Sequence, residues 1–131
     1  MGHGNKSIAD WQTEAYEIAK SKGWHDDPQR TFGDTIALIH SELSEALEAY
    51  RKSPQDFFTT FHCSSGYVGP DKTCATDGDP HKPEGIPIEF ADVLIRIFDT
   101  CEEYGINLER AVREKMDYNR TRPHRHGGKA L

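Results

Sequence analysis

Two pairs of carboxylates stand out by their spacing, Glu42 with Glu45 and Glu89 with Asp92. Residues three apart on a helix share a face, so each pair would offer its oxygens side by side. Such spacing is common on solvated helices. These acids are distinguished by their angular position at about 100° per residue. Glu42 and Glu45 bracket Leu38 and Ala49 on a partly apolar face, whereas Glu48 points to solvent. Glu89, Asp92, Arg96, Asp99 and Glu103 form one polar stripe along an otherwise apolar rod, and such a stripe must face water or line a site. If the two faces meet, four carboxylates converge, and unpaired they would repel and be costly to desolvate. A divalent cation resolves that conflict. The donors are all oxygen, with no cysteine or histidine at matching spacing. That set suits Mg²⁺ or Mn²⁺, with water and a phosphate substrate supplying the remaining ligands. A di-iron bundle would require Glu-x-x-His pairs, and neither pair ends in histidine. The alternative is that both pairs are ordinary solvated helix acids.

Helices must carry these residues, and the apolar periodicity supplies four. Ser7 with Asp10 three residues on forms a cap, and Ile8, Trp11, Ala15, Ile18 and Ala19 then mark one face until Gly23 stops the helix. Residues 24–31, with Pro28 and two aspartates, read as a connection. Phe32, Ile36, Ile39, Leu43, Ala46, Leu47 and Tyr50 predict a second helix running to about Lys52. Residues 53–87 hold five of the seven prolines and read as a long loop or insertion. Periodicity resumes at Ile88 and continues through Cys101 to a stop at Gly105, and a fourth helix follows from Asn107 with Leu108, Ala111, Val112 and Met116 apolar. The expected architecture is a single all-α domain over residues 1–131, a helical bundle interrupted by one long loop.

Composition bounds the function. The 131 residues are 35% hydrophobic and carry a net charge of −6, which is one domain with a thin core, so a homo-oligomer is expected. A net acidic chain has no general attraction to nucleic acid or anionic membranes. No apolar run is long enough to span a bilayer, and Met1 to Lys6 has no apolar signal core. Three cysteines, Cys63, Cys74 and Cys101, suit a reducing compartment better than a disulfide framework. A cytoplasmic location is therefore expected. The charge is also uneven: residues 1–52 carry 6 basic and 9 acidic side chains, whereas residues 110–129 carry seven cations against two acids. An acidic body thus ends in a basic tail.

The insertion carries chemistry of its own. His62, Cys63, Cys74 and His81 are a legitimate zinc donor set, though their spacing matches no common zinc module. Phe57, Phe58, Phe61 and Tyr67 make its first half aromatic, so it is expected to pack on a base, on its own body or on another subunit. Trp24 either stacks on a base or covers the end of the first helix.

The segments LIHSELSEALEAYR (38–51), GIPIEFADVLIRIFDTCEEYGINLE (85–109) and EKMDYNRTRPHRHGGK (114–129) together resemble the MazG-like all-α nucleoside triphosphate pyrophosphohydrolases, including the dCTP pyrophosphatase branch. The resemblance implies Mg²⁺-dependent hydrolysis of an NTP or dNTP to the monophosphate and pyrophosphate, in a dimer or tetramer whose helices build a four-helix core. By position it makes Glu42, Glu45, Glu89 and Asp92 the metal ligands, and Lys115 and Asn119 substrate contacts. Arg120 and Arg122 add cations suited to bidentate phosphate contact, and the tail is expected to fold over the nucleotide or a neighbouring subunit's site. The insertion departs from compact members of the family. Two other readings stay open: a non-catalytic helical partner-binding module, and the same fold acting on phosphoribosyl-ATP.

Overall fold

In a computed structural model the described residues are 4–54, 57–62, 68–69 (backbone only) and 81–124. The chain is mostly helical. Its elements in order are α1 (Ile8–Ser21), α2 (Phe32–Lys52), β1 (Thr60–His62), β2 (Val68–Gly69), β3 (Lys82–Glu84), α3 (Ile86–Glu103) and α4 (Leu108–Thr121). None of the helices is long and apolar enough to cross a membrane among the described residues.

Local chemistry explains where the helices begin and end. Ser7 and Thr31 each accept a hydrogen bond from the backbone N–H three residues on, and Asp10 and Asp34 return the favour to the cap backbone, so α1 and α2 both open with a capping box. Asn107 caps α4 through its side chain. At the other ends, Gly23 (φ 79°) and Gly105 (φ 68°) adopt the left-handed conformation that glycine accepts without steric cost. The N–H groups of Trp24 and Ile106 then reach back to the carbonyls of Ala19 and Cys101 at 3.0 and 2.8 Å, closing α1 and α3 in the same way. Trp24 thus ends α1 through its backbone, and its indole stays half-exposed.

The mostly helical architecture agrees with the all-α expectation, and one region departs from the reading as a loop. Within residues 53–87, read as a loop, lies a small antiparallel sheet in the order β2-β1-β3. Phe61 pairs with Gly69 on one side and Pro83 on the other. Pro83 has no N–H to donate and sits in an edge strand, where that loss is tolerated. Helix α3 also begins at Ile86, two residues before the apolar periodicity resumes. Pro87 lies in its first turn, where the missing N–H would have had no helical partner.

The molecule divides into two compact units, the divisions falling after Asp26 and after Ile97. The first comprises α1, the end of α3 and α4. Its buried residues are small or polar: Ala15, Ala19, Cys101, Gln12 and Thr100. Gln12 donates from Nε2 to Glu102 Oε1 at 3.0 Å and to the Ile106 carbonyl at 2.9 Å, tying α1 to the turn that precedes α4. Ala9, in the first turn of α1, donates its N–H to Glu109 of α4 at 3.1 Å. That acid satisfies one of the donors a helix N-terminus leaves open. The second unit comprises α2, the sheet and the start of α3, and buries Thr35, Ala46 and Ile86.

Candidate functional site

Three of the four acids singled out by spacing meet in the second unit. Glu42 of α2 and Glu89 and Asp92 of α3 each bring a carboxylate oxygen to within 4.8 Å of the other two. The helices arrange this simply: residues 89 and 92 share a face of α3, and Glu42 reaches them from the partly apolar face of α2. All three are half-buried. Glu45 is exposed and stands outside the set of three, yet its charge is felt by both Glu89 and Asp92.

The electrostatics of the cluster are those of crowded like charges. Burial pushes the Glu89 carboxyl above its ordinary value, and the charges of Asp92, Glu45, Glu42 and Glu84 push it further. Burial also raises Asp92, with Glu42 and Glu45 adding to the effect and Arg96 and Lys82 opposing it. Arg96, one turn beyond Asp92, donates from Nε to Glu42 Oε1 at 2.7 Å. The buried oxygen Oε2 of Glu89 accepts no hydrogen bond among the described residues. A buried acceptor of this kind is rare and calls for an explanation. The donor set is entirely carboxylate oxygen, which is the chemistry a hard divalent cation takes.

The polar stripe on α3 serves two purposes. Its first part, Glu89, Asp92 and Arg96, belongs to the cluster with Glu42. Its last part, Asp99 and Glu103, holds His25 in the first unit: Nε2 lies 2.6 Å from Asp99 Oδ1 and Nδ1 lies 3.1 Å from Glu103 Oε2. The Tyr16 ring stacks obliquely on the imidazole, with centroids 5.0 Å apart. Burial lowers the His25 pKa, but the two carboxylates outweigh it and the net direction is upward. Sequence reading placed His25 in a plain connection and missed this contact. The available signal was the pair Asp99 and Glu103, two acids one turn apart on a stripe that otherwise leads into an acidic cluster.

The substrate contacts expected from the basic segment lie in the first unit. Lys115, Asn119 and Arg120 are exposed on α4, and Arg122 is its C-cap. Arg120 pairs with Asp117, while Lys115 and Arg122 lie over the Tyr118 ring at 5.1 and 5.7 Å. Residues 125–131 of the tail lie outside the described residues. So do Cys63 and Cys74 of the candidate zinc set and Tyr67 of the aromatic group. Of the remaining zinc candidates, His62 sits 3.2 Å from the Thr60 hydroxyl and 3.8 Å from Glu84.

No protein-family model, curated protein or solved structure matches the chain.

Proposed function

We propose that the chain is a divalent-metal-dependent pyrophosphohydrolase of nucleoside or deoxynucleoside triphosphates, releasing the monophosphate and pyrophosphate. The observation that carries this reading is the convergence of Glu42, Glu89 and Asp92 around a buried Glu89 oxygen that has no hydrogen-bond partner among the described residues. These three, with Glu45 at the rim, would hold Mg²⁺ or Mn²⁺. When bound, such an ion supplies charge neutralisation at phosphate oxygens and acidifies water, which is most of what phosphoanhydride cleavage requires.

The chain's own residues supply the rest. One of these carboxylates would accept a proton from the attacking water. Arg96 holds Glu42 in place through its 2.7 Å bond. Lys115, Asn119, Arg120 and Arg122 are the proposed substrate contacts, arginine being suited to bidentate phosphate contact.

The working form on this reading is a homo-oligomer, a dimer or tetramer. Among the described residues no large side chain is fully buried, while Leu43 and Leu47 of α2 and Phe90 and Leu94 of α3 are each about half-exposed. In the second unit Leu43, Leu47, Tyr50 and Phe90 line a groove of about 430 Å³. Exposed apolar side chains grouped on one face in this way suit an interaction surface.

The test is pyrophosphate release across the common NTPs and dNTPs with Mg²⁺. Release from at least one of them is expected, and silence on all of them overturns the reading.

A further inference from the structure

The insertion builds a second cavity beside the carboxylate cluster. It occupies about 310 Å³ between the last turn of α2, the sheet and the start of α3. Its existence depends on Gly85. At φ 123° this residue takes a conformation that side chains rarely adopt, and a Cβ there would stand 2.4 Å from the Phe58 carbonyl oxygen. The chain leaving α2 is therefore held directly against the residue that precedes α3. Pairing of Thr60 with Glu84 and of His62 with Lys82 then puts Thr60, His62 and Glu84 on one face of the sheet, and all three line the cavity.

The lining is of two kinds. Phe58, 70% exposed, Ala49 and buried Ile86 are the apolar residues of the wall. The polar edge is formed by Lys52, Ser53, Thr60, His62 and Glu84, which together both donate and accept. A flat heterocycle with hydrogen-bonding edges is the ligand class that matches an aromatic wall and a mixed polar rim. At about 310 Å³ the cavity lies at the small end of ligand sites. It has room for a base and part of its sugar but not for a triphosphate.

Its position relative to the acids is set by the helices. Ala49 follows Glu45 by one turn on α2, and Ile86 precedes Glu89 by about one turn on α3, roughly 5 Å in each case. Glu84 and Lys82 of the sheet act electrostatically on Glu89 and Asp92. We propose that the cavity walled by Phe58, Thr60, His62, Glu84 and Ile86 receives the heterocyclic base of a nucleotide whose phosphates lie at the Glu42, Glu89 and Asp92 cluster. This rests on the pyrophosphohydrolase reading for its phosphate half only.

Two measurements on the full chain test it and separate its failure from that of the hydrolase. The first titrates unphosphorylated purine and pyrimidine nucleosides without metal, followed by amide chemical shifts. Shifts at Ser53, Thr60, His62 and Gly85 are expected for at least one nucleoside, weakened in Phe58→Ala, retained in Phe58→Tyr and unaffected by Glu89→Gln. The second compares pyrophosphate release: Phe58→Ala should raise KM about 10-fold, the size expected for losing one base-stacking contact, with a smaller effect on kcat, and Phe58→Tyr should restore it. Nucleoside shifts without hydrolysis leave the base site standing while the hydrolase reading falls. Absence of shifts at these residues, or hydrolysis with unchanged KM in Phe58→Ala, overturns the base site.

Discussion

Arg96 donates to Glu42 across the face that α3 presents to α2, Nε to Oε1 at 2.7 Å. One cation beside Glu42, Glu89 and Asp92, with Glu45 close by, leaves the cluster net negative. The bond therefore orients Glu42 without neutralising the site. Arg96→Gln should lower the stability of the metal-free protein by about 1–2 kcal/mol, the cost of a lost charged hydrogen bond. It should also tighten Mn²⁺ binding, because the positive charge competing for Glu42 is gone. Thermal unfolding and a Mn²⁺ titration on wild type and variant check both halves.

Glu89→Gln separates a metal site from a solvated patch. The Glu89 carboxyl is raised above its ordinary value of 4.5, by burial first and by Asp92, Glu45, Glu42 and Glu84 after it. Its ionised form therefore disfavours folding. That cost is absent at pH below 4.5, grows as pH rises towards the raised folded value, and is present at neutral pH. Without divalent cation at pH 7, Glu89→Gln should raise Tm, since an amide carries no charge and its N–H₂ can donate to the neighbouring carboxylates. With Mg²⁺ the order reverses: a cation at about 100 times its Kd adds about 2.7 kcal/mol to a protein that binds it, and only wild type gains.

His25 gives the protein a second pH dependence, of the same sign but in a higher pH window. Both its nitrogens face carboxylates, Asp99 at 2.6 Å and Glu103 at 3.1 Å, and only the imidazolium can donate to both. Its folded pKa is raised above 6.5, the carboxylates of Asp99 and Glu103 overcoming the opposing effect of burial. The stabilisation is therefore complete below pH 6.5 and lost as pH rises through the folded value. Unfolding midpoints should fall for wild type as pH is raised from below 6.5 and stay flatter for His25→Ala. The imidazole resonances of His25 report the raised value directly.

The helices are legible in the sequence because their signals are local. Ser7 with Asp10 and the glycines at 23 and 105 determine ends through contacts within a few residues, and a period of 3.6 has many residues over which to register. The pairing of Glu42 with Glu89 and Asp92 was accessible for a related reason, since four acids on two partly apolar faces have few arrangements that avoid solvent. The sheet was not legible. Strands of two or three residues are too short to display a period of two, and Pro83 argues against a strand unless its edge position is known. His25 was missed because its partners lie 74 and more residues away. Glu45 was grouped with Glu42 by spacing, but three residues along α2 is enough for one side chain to reach the cluster and the other to remain exposed.

Self-association has a mass to be measured. A monomer weighs 14.8 kDa, and light scattering should give twice or four times that. Leu43→Glu and Leu47→Glu, on the exposed apolar face of α2, should shift the population towards monomer with little loss of helical signal. A monomeric mass for wild type at micromolar concentration would remove the oligomer from the account.

Phosphorus NMR of a mixture of nucleoside triphosphates incubated with the protein and Mg²⁺ tests the central claim most directly. Resonances of pyrophosphate and nucleoside monophosphate should grow together with wild type, and neither should appear with Glu89→Gln or when Mg²⁺ is chelated. Unchanged triphosphates, or turnover in Glu89→Gln equal to wild type, would contradict the assignment of Glu42, Glu89 and Asp92 as the catalytic metal site.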